Sequence, residues 1–263
     1  MIRNLAVSVC LFAVSVAVVA QSPFTPPAAS ASAVAGINFQ SAQPLDALHA
    51  RYSTCDLHDI CGDTPVHKPN LCSTDPSRNS VILRFSNGVV FYDAKMAIDA
   101  DGSQLSKLRG GTDLPETAWH YPTPPHSSVD AEHVPYIVLP REFVSKTFAG
   151  LLPQVSISIG DIAAVVFNGQ VRYALVADTG PPCKIGEGSM KLHDELGHPA
   201  CTQLGPDGLC IKEAHSGISA NVLYFIFPGS GKSISKGLSP DNINQVLAEE
   251  GPKLMQSLTG ASK

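Results

Sequence analysis

Asp178 and Glu187 stand nine positions apart in the segment Ala177-Asp178-Thr179-Gly180-Pro181-Pro182-Cys183-Lys184-Ile185-Gly186-Glu187-Gly188-Ser189. Two carboxyl groups of unequal proton affinity are what hydrolysis of a glycosidic bond requires, one to protonate the leaving oxygen and one to activate water or attack carbon. Asp178 closes a long apolar run, where burial raises a carboxyl pKa. Glu187 precedes a helix start, whose positive end favours the anion. On that local argument Asp178 is the acid and Glu187 the base. The plainer reading is a turn-forming Asp-Thr-Gly-Pro followed by a solvated glutamate beside glycines.

The elements that must hold this pair are mostly strands. Ile162–Phe167 and Gln170–Ala177 are β-rich runs separated by Asn168-Gly169, the residue pair that accepts the positive φ of a type I′ hairpin turn. Further strands are expected at Val81–Phe85, Val89–Tyr92, Tyr136–Leu139, Val155–Ile159 and Val222–Phe227. Ser189 is placed to cap a helix over Met190–Leu196 that stops at Gly197. Ser239-Pro240 is placed to open another reaching about Glu250, with Pro252 forcing a break or kink before Lys253–Leu258.

Other residues have a claim on a substrate. Asp99, Asp101, Asp130 and Asp161 would gain from a chain of ammonium-bearing sugars. Asp101-Gly102 reads better as a turn, and Asp99 is evenly balanced. Thr179 lies beside the first carboxylate. Trp119 and Tyr121 are candidates to stack on sugar faces, although an aromatic pair covering a barrel edge is the commoner arrangement. His193, His198 and His215 lack the four-residue helical spacing of a zincin, so surface or supporting roles are expected of them rather than metal binding.

Composition sets the setting. Residues 1–20 carry Arg3, an apolar run and Val18-Val19-Ala20, the pattern of a secretory signal, so the mature chain is expected outside the cell and off the membrane. Residues 21–36, rich in Ala, Ser and Pro, read as a tether, and residues 37–263 as a single domain whose C-terminal helical segment spans 239–258. Of seven cysteines, Cys10 leaves with the signal. Cys55, Cys61, Cys72, Cys183, Cys201 and Cys210 then suggest three disulfides, most simply paired within the clusters 55–72 and 183–210. A formal net charge of −5 argues against nucleic acid as a partner and is compatible with a cationic polymer.

Five pieces in order across residues 95–230 resemble the chitosanases of glycoside hydrolase family 75. They are Lys95–Gly102, Val134–Pro140, Gly160–Val166, the pair Asp178-Thr179-Gly180-Pro181 with Ile185-Gly186-Glu187, and Val222–Ser230. The resemblance implies that Asp178 and Glu187 are the catalytic pair. It further implies endo-cleavage of β-1,4-linked glucosamine chains with inversion and without metal or organic cofactor. The family-like core spans about 81–230. The cysteine-bearing stretch Leu45–Pro76 and the insert Cys201–Cys210 fall outside the pattern. A fainter likeness, to the double-psi barrels of cell-wall lytic enzymes, suggests a mainly β fold: a six-stranded double-psi-like β-barrel with a few peripheral helices and disulfide-stapled loops. A monomer is expected.

Three other functions compete. Ala177-Asp178-Thr179-Gly180 is similar to an aspartic-protease turn, but Pro181 follows it and no second Asp-Thr-Gly or Asp-Ser-Gly exists in the chain. A non-catalytic polysaccharide-binding barrel and a lytic enzyme acting on peptidoglycan are the stronger rivals.

Overall fold

A computed structural model describes residues 24–79, 81–109, 113–144 and 157–259. In chain order, β1 (Gln43–Pro44) precedes helix α1 (Asp46–His58), the short strands β2 (Ile60–Cys61) and β3 (Thr64–Pro65), and then β4 (Ile82–Arg84) and β5 (Val90–Asp99). Helix α2 (Gln104–Arg109), β6 (Tyr136–Pro140) and α3 (Arg141–Val144) follow. The hairpin β7 (Ile162–Phe167) and β8 (Gln170–Gly180) leads to β9 (Glu187–Ser189) and α4 (Met190–Glu195). The chain then forms β10 (Cys201–Leu204), β11 (Cys210–Glu213), β12 (Ile218–Phe227), α5 (Gly231–Ile234) and α6 (Ile243–Gln256).

Six of these strands close into the expected barrel. The hydrogen-bonded order β5-β12-β7-β8-β6-β9 returns to its start because β9 also pairs with β5. The β5–β9 and β6–β8 pairs are parallel and the other four are antiparallel. β12 lies between β5 and β7, and its residues Val222 to Ile226 are wholly buried. Tyr92 stacks on Tyr224 across the β5–β12 pair with ring centroids 4.5 Å apart. The β7–β8 hairpin turns at Asn168 (φ 48°) and Gly169 (φ 78°), as its sequence requires.

Several elements depart from their expected limits. Helix α1 buries Leu48, Tyr52 and Cys55 on one face, a stripe of three residues in an otherwise polar segment that periodicity alone does not reveal. Helix α6 starts at Ile243 and continues without a break through Pro252, where a break or kink had been expected. Close packing supports it there: a Cβ on Gly251 would lie 2.1 Å from the ring of Tyr173, so the helix backbone rests directly on β8. Ile157–Gly160 form a loop and turn instead of the end of a strand; the rest of that expected strand lies outside the described residues. Helix α4 is capped as expected, with the Ser189 side chain accepting from the Leu192 amide.

Three disulfides are present: Cys55–Cys72, Cys61–Cys183 and Cys201–Cys210. The simple expectation of pairing within each cluster fails at Cys61–Cys183, which joins the two clusters. Sequence proximity was a poor guide because β2 packs beside the loop that follows β8. Disulfides of this kind fit an extracellular protein. The described part of the Ala/Ser/Pro-rich segment, residues 24–36, is a short 3-10 helix over Ala28–Val34. It buries Ser30 and Val34 while Phe24 packs edge-on against Phe39. The expected signal, residues 1–20, lies outside the described residues; among those described, no helix is long and apolar enough to cross a membrane.

Candidate active site

One irregularity in the barrel places the first carboxylate. In the parallel β6–β8 pair, Ile137 faces Val176, but the next residue, Val138, faces Asp178. Ala177 is therefore an extra residue in β8, a bulge whose carbonyl accepts from the amide of Trp119 at 2.8 Å. Neighbouring residues on β6 point to opposite faces, so the bulge moves Asp178 off the face of Val176 and onto that of Val138.

The second carboxylate reaches the same face from the other side. β9 pairs antiparallel with β6, and Val138 faces Glu187. Asp178 and Glu187 thus flank Val138 on neighbouring strands. Two strand spacings put their Cα atoms about 9.5 Å apart. All three residues line one cavity of about 630 Å³. Gly180 has no side chain to obstruct the gap; a Cβ there would lie 3.4 Å from Glu187 Oε2.

The short β9 arrives in this register because Gly186 precedes it. Gly186 has φ 84°, and a Cβ would stand 2.2 Å from the Lys95 carbonyl. The Ala97 amide then donates to the Gly186 carbonyl at 2.9 Å and Ala97 faces Glu187 in the β5–β9 pair. Between the two carboxylates, Cys183 sits at φ 60°, fastened by its disulfide and by its amide donating to Glu142 Oε1 at 2.8 Å.

Acidic groups dominate the cavity. Asp99, Asp101 and Asp113 line it with Asp178 and Glu187, against the cations Arg141 and Lys184. Asp99, Asp101 and Asp178 each bring an oxygen within 4.8 Å of the others. Burial of three such carboxylates side by side disfavours the state in which all are charged.

Their surroundings separate the groups. Burial pushes Asp101 up to about 8, helped by the charge of Asp178 and opposed by the Leu114 amide, which donates to its Oδ1 at 2.6 Å. The neutral Asp101 carboxyl keeps its proton and donates a hydrogen bond to Asp178. Burial also raises Asp178, but the Thr179 amide at 2.7 Å, the Ala118 amide at 3.0 Å and the Asp101 carboxyl all favour its anion. Glu187 is raised by burial against the pull of the Lys95 and Lys184 ammonium groups. Asp99 is raised well above the usual carboxylate range by burial and by Glu187 and Asp101.

Asp99 and Thr179 are thereby brought into the cavity with Asp178 and Glu187. The other three expected substrate-binding residues lie elsewhere. Asp161 is fully buried and spends its oxygens on the Ser158 and Gly231 amides, tying the β7 start to α5. Trp119 and Tyr121 are 8% and 4% exposed and pack edge-on against each other in the core. They have no open ring face for a sugar, and Trp119 contributes through its backbone.

Several contributors escaped the sequence reading. Asp101 reads as a turn residue and lies in a turn, yet it lines the cavity two positions beyond the end of β5. Tyr136 holds the Asp101 carbonyl through its hydroxyl at 3.0 Å. Lys95, Lys184 and Glu142 have no local motif, because their partners come from distant segments.

Comparison with known proteins identifies the family. A family model described as fungal chitosanase of glycosyl hydrolase group 75 matches residues 96–257, more than half of the chain, and the match contains Asp99, Asp101, Asp178 and Glu187. A search of curated proteins found no match. With the family's region covering most of the barrel and both flanking carboxylates, the chain belongs to the fungal chitosanase family, group 75 of the glycosyl hydrolases, and is a chitosanase glycoside hydrolase.

Proposed function

We propose that the protein is a secreted, monomeric endo-chitosanase that cleaves β-1,4-linked glucosamine chains with inversion of the anomeric carbon. The observation that carries this reading is the shared register position of Asp178 and Glu187 on either side of Val138. Cα atoms about 9.5 Å apart with both side chains on one face are compatible with an inverting site, whose carboxyl groups stand roughly 6.5–9.5 Å apart to leave room for water.

In this reading Asp178 is the base and Glu187 the acid, the reverse of what strand burial alone suggests. The Thr179 and Ala118 amides and the Asp101 carboxyl stabilise the Asp178 anion in the orientation that accepts a proton from water. Glu187 keeps its proton through desolvation and delivers it to the leaving oxygen. As water attacks the anomeric carbon from the Asp178 side, the carbon–oxygen bond to the leaving chain breaks. The departing oxygen takes the Glu187 proton, and Asp178 takes one from the water. Asp99, Asp101 and Asp113 line the groove with oxygens that can accept hydrogen bonds from ammonium-bearing sugars.

Incubating the purified protein with chitosan and with peptidoglycan, and following reducing ends together with the anomer first formed, tests the proposal. Expected are short glucosamine oligomers appearing first as the α-anomer. Binding without turnover, release from peptidoglycan alone, or a β-anomer as first product would overturn it.

A further inference from the structure

Residues 45–76 precede the region matched to the family, yet they wall the same cavity. Pro69 and Asn70 line it together with Asp178 and Glu187. The segment is fastened to the loop between those two carboxylates by Cys61–Cys183. Arg51 of α1 also approaches Glu142 at 3.6 Å, and Glu142 in turn accepts from the Cys183 amide. A hydrogen-bond chain runs alongside: Asp56 accepts from the Ser77 amide at 2.9 Å, and the Ser77 carbonyl accepts from the Lys95 amide at 3.0 Å.

Asp75 follows this stapled stretch and meets two cations at once. Its Oδ2 lies 2.8 Å from Lys95 Nζ and 3.2 Å from Lys184 Nζ. The lysine side chains are 6% and 16% exposed, so their ammonium groups are poorly hydrated and depend on that carboxylate. Both flank Glu187. Lys95 is two residues before Ala97, the β5 partner of Glu187, and Lys184 is three residues before Glu187 itself.

We propose that Asp75 is a positioning residue of the hydrolase, holding the Lys95 and Lys184 ammonium groups beside Glu187, so that the disulfide-stapled segment is a working part of the active site. The proposal rests on the reading of Glu187 as the acid. Two ammonium groups beside a general acid would draw off its proton early if nothing offset them. Asp75 offsets them while keeping them in place to steady the carboxylate that remains after proton transfer.

The other groups facing Glu187 are Asp99 on β5, Asp178 on β8, Tyr136 on β6 and Tyr224 on β12. From α4, His193 stays neutral, pushed down to about 4 by burial, and its Nε2–H donates to the Ala97 carbonyl at 3.1 Å. Among these surrounding groups, Asp75 is the residue that pairs with both lysines.

The test is the pH profile of kcat/KM on chitosan for Asp75→Asn and Asp75→Glu. Removing the Asp75 charge favours the Glu187 anion, so the acid is lost at lower pH and the alkaline limb moves down by about 0.5–1 pH unit. On that limb kcat/KM falls about three- to tenfold, and KM stays within about threefold. Asp75→Glu restores the limb. A profile of Asp75→Asn that superimposes on the wild type, or a failure of Asp75→Glu to restore it, overturns the proposal. Should Asp75→Asn not fold, Lys184→Met decides, because removing one cation must move the limb upward and an unmoved limb overturns the proposal. A wild-type protein that releases no reducing ends from chitosan removes the reading of Glu187 and this inference with it. An active wild type with unmoved limbs in these variants removes only the inference.

Discussion

Asp178 and Glu187 take the same cross-strand partner, Val138, from its two sides. Because paired residues in neighbouring strands point to one face, that shared partner aims both carboxyl groups into one cavity and fixes the gap between them by strand spacing.

Asp178→Asn and Glu187→Gln are near-isosteric, and each is expected to lower kcat on chitosan by at least about a thousandfold with the melting temperature at pH 6 no lower than wild type. The two losses should differ in kind. An aryl glycoside whose leaving group needs no proton should recover most of its turnover in Glu187→Gln and little in Asp178→Asn. Recovery in Asp178→Asn instead would exchange the two roles.

Asp101 makes a prediction about stability. Its folded pKa, raised to about 8, stands above the unfolded value of about 3.9. The folded state therefore binds more protons between these limits, and stability is lost as pH rises through them. Asn in its place mimics the neutral acid, accepting from Leu114 and donating towards Asp178. Asp101→Asn should melt higher than wild type at pH 8, with the difference shrinking as pH falls towards 4. Thermal melts across that range check it, and a constant difference would contradict the shift.

The Cys61–Cys183 bond closes a loop of 122 positions and anchors the segment between the two carboxylates. Replacing both cysteines by serine should cost about 2–5 kcal/mol in denaturant unfolding. Turnover should also fall at temperatures where the variant is still folded. The Cys201–Cys210 pair closes only nine positions on a peripheral hairpin, so its removal should leave kcat within about twofold. Equal losses of kcat in the two variants would show that the first bond has no special hold on the site.

Trp119 tests the difference between a core residue and a sugar platform. With its ring 8% exposed and packed on Tyr121, Trp119→Ala should destabilise the fold by about 3–5 kcal/mol. At a temperature where the variant is folded, KM for soluble chitosan should stay within about threefold of wild type. A large rise in KM with unchanged stability would restore the stacking role.

The sequence by itself determined the character of the barrel and the identity of its catalytic carboxylate candidates. Alternating apolar runs and an Asn-Gly turn specify strands locally, Ser189 caps its helix within one turn, and the order of short motifs carries the family resemblance. These signals are legible because each depends on residues a few positions apart.

Tertiary structure decided where those residues point. Counting alternation along β8 puts Asp178 on the face of Val176; the bulge at Ala177, held by the amide of Trp119, turns it onto the face of Val138. Proton affinities, the Cys61–Cys183 bond and the joining of Asp75 to Lys95 and Lys184 likewise come from segments far apart in the chain. Desolvation and charge act through space, so a residue such as Asp101, an ordinary turn former among its sequence neighbours, becomes an acid only once the barrel has closed around it.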